Sequence, residues 1–368
     1  MSFDPRNVLI TGGAGFIGSN FVHFWLEKTT SGRVVVLDAL TYAGNIDSLA
    51  DVKEHPRLLF VRGDICDEAA VHGLLQAHEI DTLVHFAAES HVDRSILGPD
   101  DFIRTNVVGT HALLKAAKAL WLDRRPPRPH RFHHVSTDEV YGSLAPDAPP
   151  FSETNAYAPN SPYSASKAGS DHLVRAYHET YGLATTVTNC SNNYGPYQYP
   201  EKLIPLTIIN ILLGKPLPVY GDGLQIRDWL HVADHCDAIA LALTQGAPGE
   251  VYNIGGSGET ANIQIVRSLC ELVDDQLAQH TAQYRSLYPE SPIFHGKQAK
   301  DLISHVRDRP GHDRRYAINY SKARDLLRYA PSRDLPSGLK STVEWYLREA
   351  AWWQGLDGHE KSSGPTAR

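Results

Sequence analysis

Cysteine is scarce in this chain, four among 368 residues. Cys66, Cys190, Cys236 and Cys270 lie far apart and form no C-x-x-C pair, which excludes a disulfide framework and a zinc knuckle and points to a reducing compartment, the cytoplasm. Long hydrophobic runs are missing as well. Nowhere do 18 apolar residues follow one another, so no membrane span is expected, and the start from Met1 through Arg6 lacks the apolar stretch of an export signal. Positive charge is not in excess. The formal charge is −7, whereas nucleic-acid affinity is supplied by clustered Lys and Arg, so nucleic acid is not an expected partner. His231 and His235 stand four apart, but no H-E-x-x-H and no third ligand accompany them, so no metal site is expected.

What is present is an alternation of short apolar runs and helical spacings. Val8-Leu9-Ile10, Val34 to Leu37, Leu58 to Val61 and Leu83 to Phe86 are continuously apolar, as strands covered on both faces should be. Between them Phe16–Lys28, Glu68–Ala77 and Asn106–Leu120 carry helical spacing, and the order βαβαβαβ predicts a doubly wound parallel sheet of the Rossmann type. A strand at Phe132–Ser136, a helix over Pro162–Tyr181 and a strand near Thr185–Thr188 continue it. The expected division is a dinucleotide-binding domain over 1–190 and a smaller substrate-binding lobe over 191–350, with the chain returning to the sheet within 225–255. After Cys190 turn residues and aromatics become dense, helices being expected at Leu203–Leu213 and Val232–Leu243, and such loops commonly carry ligand contacts. Arg124–Arg131 reads as a solvated loop, 274–298 as a peripheral stretch and 354–368 as a disordered tail.

The turn after the first strand reads Thr11-Gly12-Gly13-Ala14-Gly15-Phe16-Ile17-Gly18. Its missing side chains let backbone N–H groups approach a pyrophosphate at a helix N-terminus. Asp38 ends the second strand, where a carboxylate accepts from ribose hydroxyls and repels a 2′-phosphate, so NAD is expected rather than NADP. Asp64-Ile65 reads equally as an adenine contact or as part of a helix cap, and Ala87-Ala88 permits close approach of a cofactor.

Tyr163 and Lys167 are four apart on one helix and project from one face. An ammonium and a cationic nicotinamide would favour phenolate and lower the tyrosine pKa toward that of a working general base. Thr137-Asp138-Glu139 follows the fifth strand. By resemblance to enzymes that dehydrate nucleotide sugars, Glu139 would take the C5 proton of a sugar oxidised at C4, Asp138, kept protonated, would give a proton to the leaving C6 oxygen, and Thr137 would bond the C4 oxygen.

The glycine turn, Asp38, the Tyr163/Lys167 pair and Ser136-Thr137 resemble the extended short-chain dehydrogenase/reductase superfamily acting on nucleotide sugars. More narrowly, Ala87 to Asp93, Thr137 to Gly142, Asn192 to Pro196 and Arg309 to Arg315 resemble the dTDP-glucose 4,6-dehydratase family, with a departure at His231, where tyrosine is expected, and a longer 274–298. The resemblance implies that Phe16, Ile17, Leu40, Thr41, Thr105 and Asn193 complete the NAD site. It implies that Arg227 and Arg309 neutralise the substrate pyrophosphate, that Asn192 and Asn262 add hydrogen bonds, and that Lys202 and Leu203 flank the nucleotide. Pro218 and Tyr220 would wall in the base, His312 would join them, and Ser90 with Thr137 would hold the hexose. Deoxysugar synthesis, such as that of rhamnose, and a homodimer packed through the helices near 106–120 and 163–181 follow in the same way. The alternatives are a UDP-glucose 4,6-dehydratase, an epimerase or decarboxylase of the superfamily, and an NAD-binding regulatory protein without activity. Related epimerases need only a hydroxyl residue and tyrosine, and decarboxylases and GDP-mannose dehydratases resemble a Ser/Thr-Glu pattern without the Asp.

Overall fold

The computed structural model of the protein describes residues 3–124 and 126–360. The strands β1 (Val8–Thr11), β2 (Val34–Asp38), β3 (Leu58–Arg62), β4 (Thr82–His85), β5 (Arg131–Thr137) and β6 (Thr185–Cys190) join the strand Val251–Ile254 in one seven-stranded sheet. From one edge the order is Val251–Ile254, β6, β5, β4, β1, β2, β3, and every neighbouring pair is parallel. Each apolar run became a strand because helices cover both faces of the sheet, so β1, β2 and β4 are buried along their whole length. The edge strand β3 is only partly buried, unlike the full cover its apolar run predicts. The winding reverses between β1 and β4, and at their carboxyl ends a crevice opens, the place where doubly wound sheets bind ligands.

The helices Phe16–Lys28, Glu68–Ala77 and Pro162–Tyr181 fall where the spacing predicts. Ser161 caps the last of these by accepting from Ser164 N, and Gly182 ends it in the left-handed region at φ +75°, a conformation that suits glycine. The helix expected from Asn106 differs. A wide π turn spans Ile103–Gly109 before the regular helix Thr110–Trp121, and inside it the Asn106 side chain bonds Glu89 N at 2.9 Å and Ser166 Oγ at 2.8 Å.

Beyond Cys190 a second apolar cluster gathers Ile208, Leu212, Val266, Leu269 and Tyr346, with three two-stranded pairings around it. Two expectations about peripheral segments are corrected. His130 stacks on Trp121 at 5.0 Å and Arg131 is buried, so the loop that Arg124 opens does not stay solvated to its end. The chain is helical over Ala350–Glu360, where Trp353 Nε1 donates to Tyr346 O at 3.0 Å and Leu356 is buried, so disorder does not begin at 354. Positions 361–368 of that segment lie outside the described residues. Among the described residues no helix is long and apolar enough to cross a membrane.

Candidate active site

The crevice is a cleft of about 320 Å³. One half is the glycine turn. Gly12 sits at φ +71° with Ala87 so close that a Cβ would stand 2.5 Å from Ala87 N, and a Cβ on Gly18 would meet Gly12 O at 2.1 Å. Nothing but glycine fits either position. No side chain caps the helix Phe16–Lys28, so its first amides are open to an anion, and Gly15, Phe16, Ile17 and Gly18 line the cleft.

Asp38 is held at the edge of this cradle by bonds from Ala14 N at 2.9 Å and Leu40 N at 2.8 Å. Leu40 takes a positive φ of 53° and contributes this backbone contact, while Thr41 lines the cleft. Asp64 and Ile65 line it too. Asp67 rather than Asp64 caps the next helix, accepting from Ala70 N, which leaves Asp64 paired with Arg104 at 2.6 Å. Ala87, Ala88 and Thr105 complete this half, and Asn193, also in the cleft, is oriented by His235 at 2.9 Å. His231 meanwhile caps a helix at Ala233 N. Both histidines thus have structural partners, and no group of three or more metal-binding side chains occurs among the described residues. A glycine cradle at a helix N-terminus, with a carboxylate 2.9 Å from the turn, fits the pyrophosphate and ribose of NAD.

The other half is the end of β5 and the helix Pro162–Tyr181. Ser136, Thr137, Glu139, Tyr163 and Lys167 all line the cleft. Thr137 Oγ1 accepts from Glu139 N at 3.2 Å, starting a short turn in which Glu139 lines the cleft and Asp138 does not. Asp138 is 1% exposed and its Oδ2 has no hydrogen-bond partner among the described residues. Burial first, then Glu139 and Asp228, push its pKa well above the usual carboxylate range, which favours its protonated form. Glu139 is raised by burial too, but Arg309, Arg227 and Lys202 pull it back. Neighbouring carboxyls are thus set apart, one held as acid and the other supported as anion.

Tyr163 departs from expectation. Burial, then Glu139 and Cys190, push its phenol well above its ordinary value, and the Thr137 hydroxyl is the group that lowers it. Lys167 Nζ donates to Val135 O at 2.9 Å.

The residues expected around a nucleotide sugar fall into two groups. Ser90, Asn192 and Lys202 line the cleft, with Lys202 Nζ donating to Ser90 O at 3.1 Å. Leu203, Pro218, Tyr220, Arg227, Asn262, Arg309 and His312 do not line it and stand further out. Three of them, Arg309, Tyr220 and His312, form a chain of contacts. Arg309 meets Asp93 at 3.5 Å, Tyr220 OH donates to Asp93 at 3.4 Å, and the Tyr220 ring lies 6.2 Å from His312, itself bonded to Asp308 at 2.6 Å. Arg227 is buried over the Tyr316 ring at 4.2 Å with Nη2 on Asp313 O at 2.9 Å. Asn192 Oδ1, Asn262 Oδ1 and Arg309 Nε are buried without a hydrogen bond among the described residues, a set of polar atoms that a polar ligand can satisfy. Tyr42, Glu89, Cys190 and Glu201 also line the cleft and were not legible as site residues. The only signals for them were position, Tyr42 four after Asp38 and Glu89 inside the run Ala87 to Asp93.

A family model described as GDP-mannose 4,6 dehydratase matches residues 9–342. A protein of Xanthomonas campestris pv. campestris called dTDP-glucose 4,6-dehydratase is 56% identical over 354 residues, 95% of this chain and 96% of that protein. Another of that name from Neisseria meningitidis serogroup B is 53% identical over 95% of this chain and 96% of its own. A dTDP-glucose 4,6-dehydratase of Streptomyces venezuelae, solved with NAD bound, superposes with a TM-score of 0.84 at 45% identity, covering 95% of this chain and all of that one.

Proposed function

The chain belongs to the dTDP-glucose 4,6-dehydratase family, and from that premise we propose that it converts dTDP-glucose to dTDP-4-keto-6-deoxyglucose and water with NAD as a bound, unconsumed cofactor. When bound, NAD supplies the redox chemistry, accepting a hydride from sugar C4 and returning it at C6. The protein's own residues do the rest. The Gly12–Gly18 turn would hold the pyrophosphate, Asp38 the adenosine ribose, and Asp64 with Ile65 the adenine edge. Tyr163 would remove the C4 hydroxyl proton, with Thr137 bonding the same oxygen and Lys167 supplying positive charge. Glu139 would take the C5 proton and Asp138 give its proton to the departing C6 oxygen, which leaves as water. Arg227 and Arg309 would face the substrate diphosphate, between Asn192 and Asn262.

The observation that carries this reading is Asp138, buried with Oδ2 unpartnered among the described residues, beside a Glu139 that Arg309, Arg227 and Lys202 support as an anion. A C4 epimerase has no use for that acid, a regulatory protein has no use for either carboxyl, and the names of the relatives favour the dTDP sugar over the UDP sugar. Incubation with dTDP-, UDP- and GDP-glucose tests it. Turnover is expected with the dTDP sugar well ahead of the other two, and equal or absent turnover would overturn the assignment.

We also place the protein in the cytoplasm, as a homodimer. Ala168 and Ser170 are buried within the protomer, so the small residues left on the outer face are Ala165 and Gly169. Beside them Leu97, Val108 and Ile103 are 89%, 51% and 48% exposed, an apolar patch that a second copy would cover. Val108→Glu is expected to halve the mass measured by light scattering, and a parent protein already monomeric at 40.7 kDa would contradict the dimer.

A further inference from the structure

Behind Tyr163 and Lys167, β5 and the helix Pro162–Tyr181 enclose a polar cluster of Ser136, His134, Ser170 and Asp171 to which the reaction above gives no task. All are 5% exposed or less. Burying so many polar groups is costly unless they serve one another or a neighbour. The geometry points to Asp171 as a positioning residue: its buried carboxylate is the counter-charge that keeps Lys167 an ammonium one helical turn from Tyr163. The inference rests on the roles proposed for Tyr163 and Lys167.

Three observations carry it. Asp171 follows Lys167 by four positions, so the two lie on one face of the helix, and the His134 ring stands between them, its Nε2 3.1 Å from Asp171 Oδ1 and 3.4 Å from Lys167 Nζ. Asp171 Oδ2 is fixed by Ser136 Oγ at 2.8 Å, whereas Oδ1 is buried without an aligned hydrogen bond among the described residues. A buried carboxylate oxygen in that state is stabilised by a nearby cation, and Lys167 is the strongest positive influence on it, ahead of His172. Burial, then the Lys167 charge, hold the His134 imidazole neutral, which leaves Lys167 as the cation.

The need is mutual. Burial lowers the Lys167 pKa, and the largest opposing influence is Asp171, followed by Cys190 on β6. Of the other groups facing the lysine, His85 on β4 is held neutral by burial, and Val135 O accepts from the ammonium at 2.9 Å without bringing a counter-charge. Asp171 is itself pushed up to about 6 by burial, against Lys167, Ser136, Tyr157 and His172, so it is ionised at neutral pH. Tyr141 and Tyr157 face it as neutral phenols, their pKa values raised by burial. Without the carboxylate, Lys167 would lose its proton at lower pH and Tyr163 its nearest positive charge.

Protonation of Lys167 can be read directly by NMR on protein carrying lysine labelled with 13C at Cε, with Lys167→Met to assign the signal. In Asp171→Asn the Lys167 midpoint is expected to fall by at least about one pH unit, roughly tenfold in the equilibrium, and to return most of the way in Asp171→Glu. Ser136→Ala, which removes a hydrogen bond but leaves the carboxylate charge, should not lower the midpoint. The pH at which C4 oxidation is half-maximal should rise in Asp171→Asn, whereas a merely structural loss lowers the rate at every pH and leaves that midpoint alone. An unchanged Lys167 midpoint in Asp171→Asn overturns the inference, and if that variant does not fold, an unchanged midpoint in Asp171→Ser, which removes the same charge, does so. The titration needs no substrate, so a protein that failed to turn over dTDP-glucose would refute the proposed function and leave this result standing.

Discussion

Tyr163→Phe is expected to slow formation of the C4 ketone by roughly 10²- to 10⁴-fold, the range of a positioned acid–base group, while leaving cofactor content unchanged. The phenol is buried and its pKa raised by burial, Glu139 and Cys190, so at neutral pH it is protonated and the deprotonated fraction grows with pH. The sign follows. Ketone formation in the parent should climb as pH rises, and the Phe variant, having no hydroxyl to ionise, should lose that climb along with the rate. Rapid quench and mass spectrometry of the sugar separate glucose, ketone and product. A Phe variant that still forms the ketone at a parental rate would remove Tyr163 from the first step.

Asp138→Asn should act on a different step. Because Asp138 is already neutral and buried, asparagine matches it in shape and charge, so binding and C4 oxidation are expected to stay within about threefold of the parent. What the amide lacks is a proton it can give to the departing C6 oxygen. Elimination is therefore expected to fall by roughly 10²- to 10⁴-fold, and the 4-keto-glucose that barely appears in the parent should accumulate. Glu139→Gln should accumulate the same species through loss of the C5 base. Equal loss of oxidation and elimination in Asp138→Asn would take its assigned role away.

Much of this was legible in the sequence because local rules and the fold agree. Ser161-Pro162 and Gly182 bracket the helix of Tyr163 and Lys167 with a cap and a left-handed stop, so its bounds could be read directly. The glycine turn could be read because strand, turn and helix follow one another, and the close approach of Ala87 to Gly12 explains why glycine stands there. What stayed hidden depends on partners distant in the chain. The π turn holds Asn106, which bonds Glu89 and Ser166, and no spacing rule sees either contact. The last helix reads as polar, yet Trp352 and Trp353 anchor it through Trp345, Ser48 and Tyr346. The resemblance implies a diphosphate for Arg227 and Arg309, but their present contacts, Asp93 for Arg309 and Asp313 O for Arg227, could not be read from the sequence. The height of the Tyr163 pKa belongs to the same class, since burial is set by the whole fold.

Both reactions are proposed to occur on one sugar in one cleft, which Tyr163 and Glu139 line and beside which Asp138 is buried next to Glu139. Turnover of dTDP-glucose deuterated at C4 tests that most directly. One deuterium in the C6 methyl of each product molecule is predicted, undiluted by solvent hydrogen. Label washed into solvent, or still at C4 in the product, would contradict it.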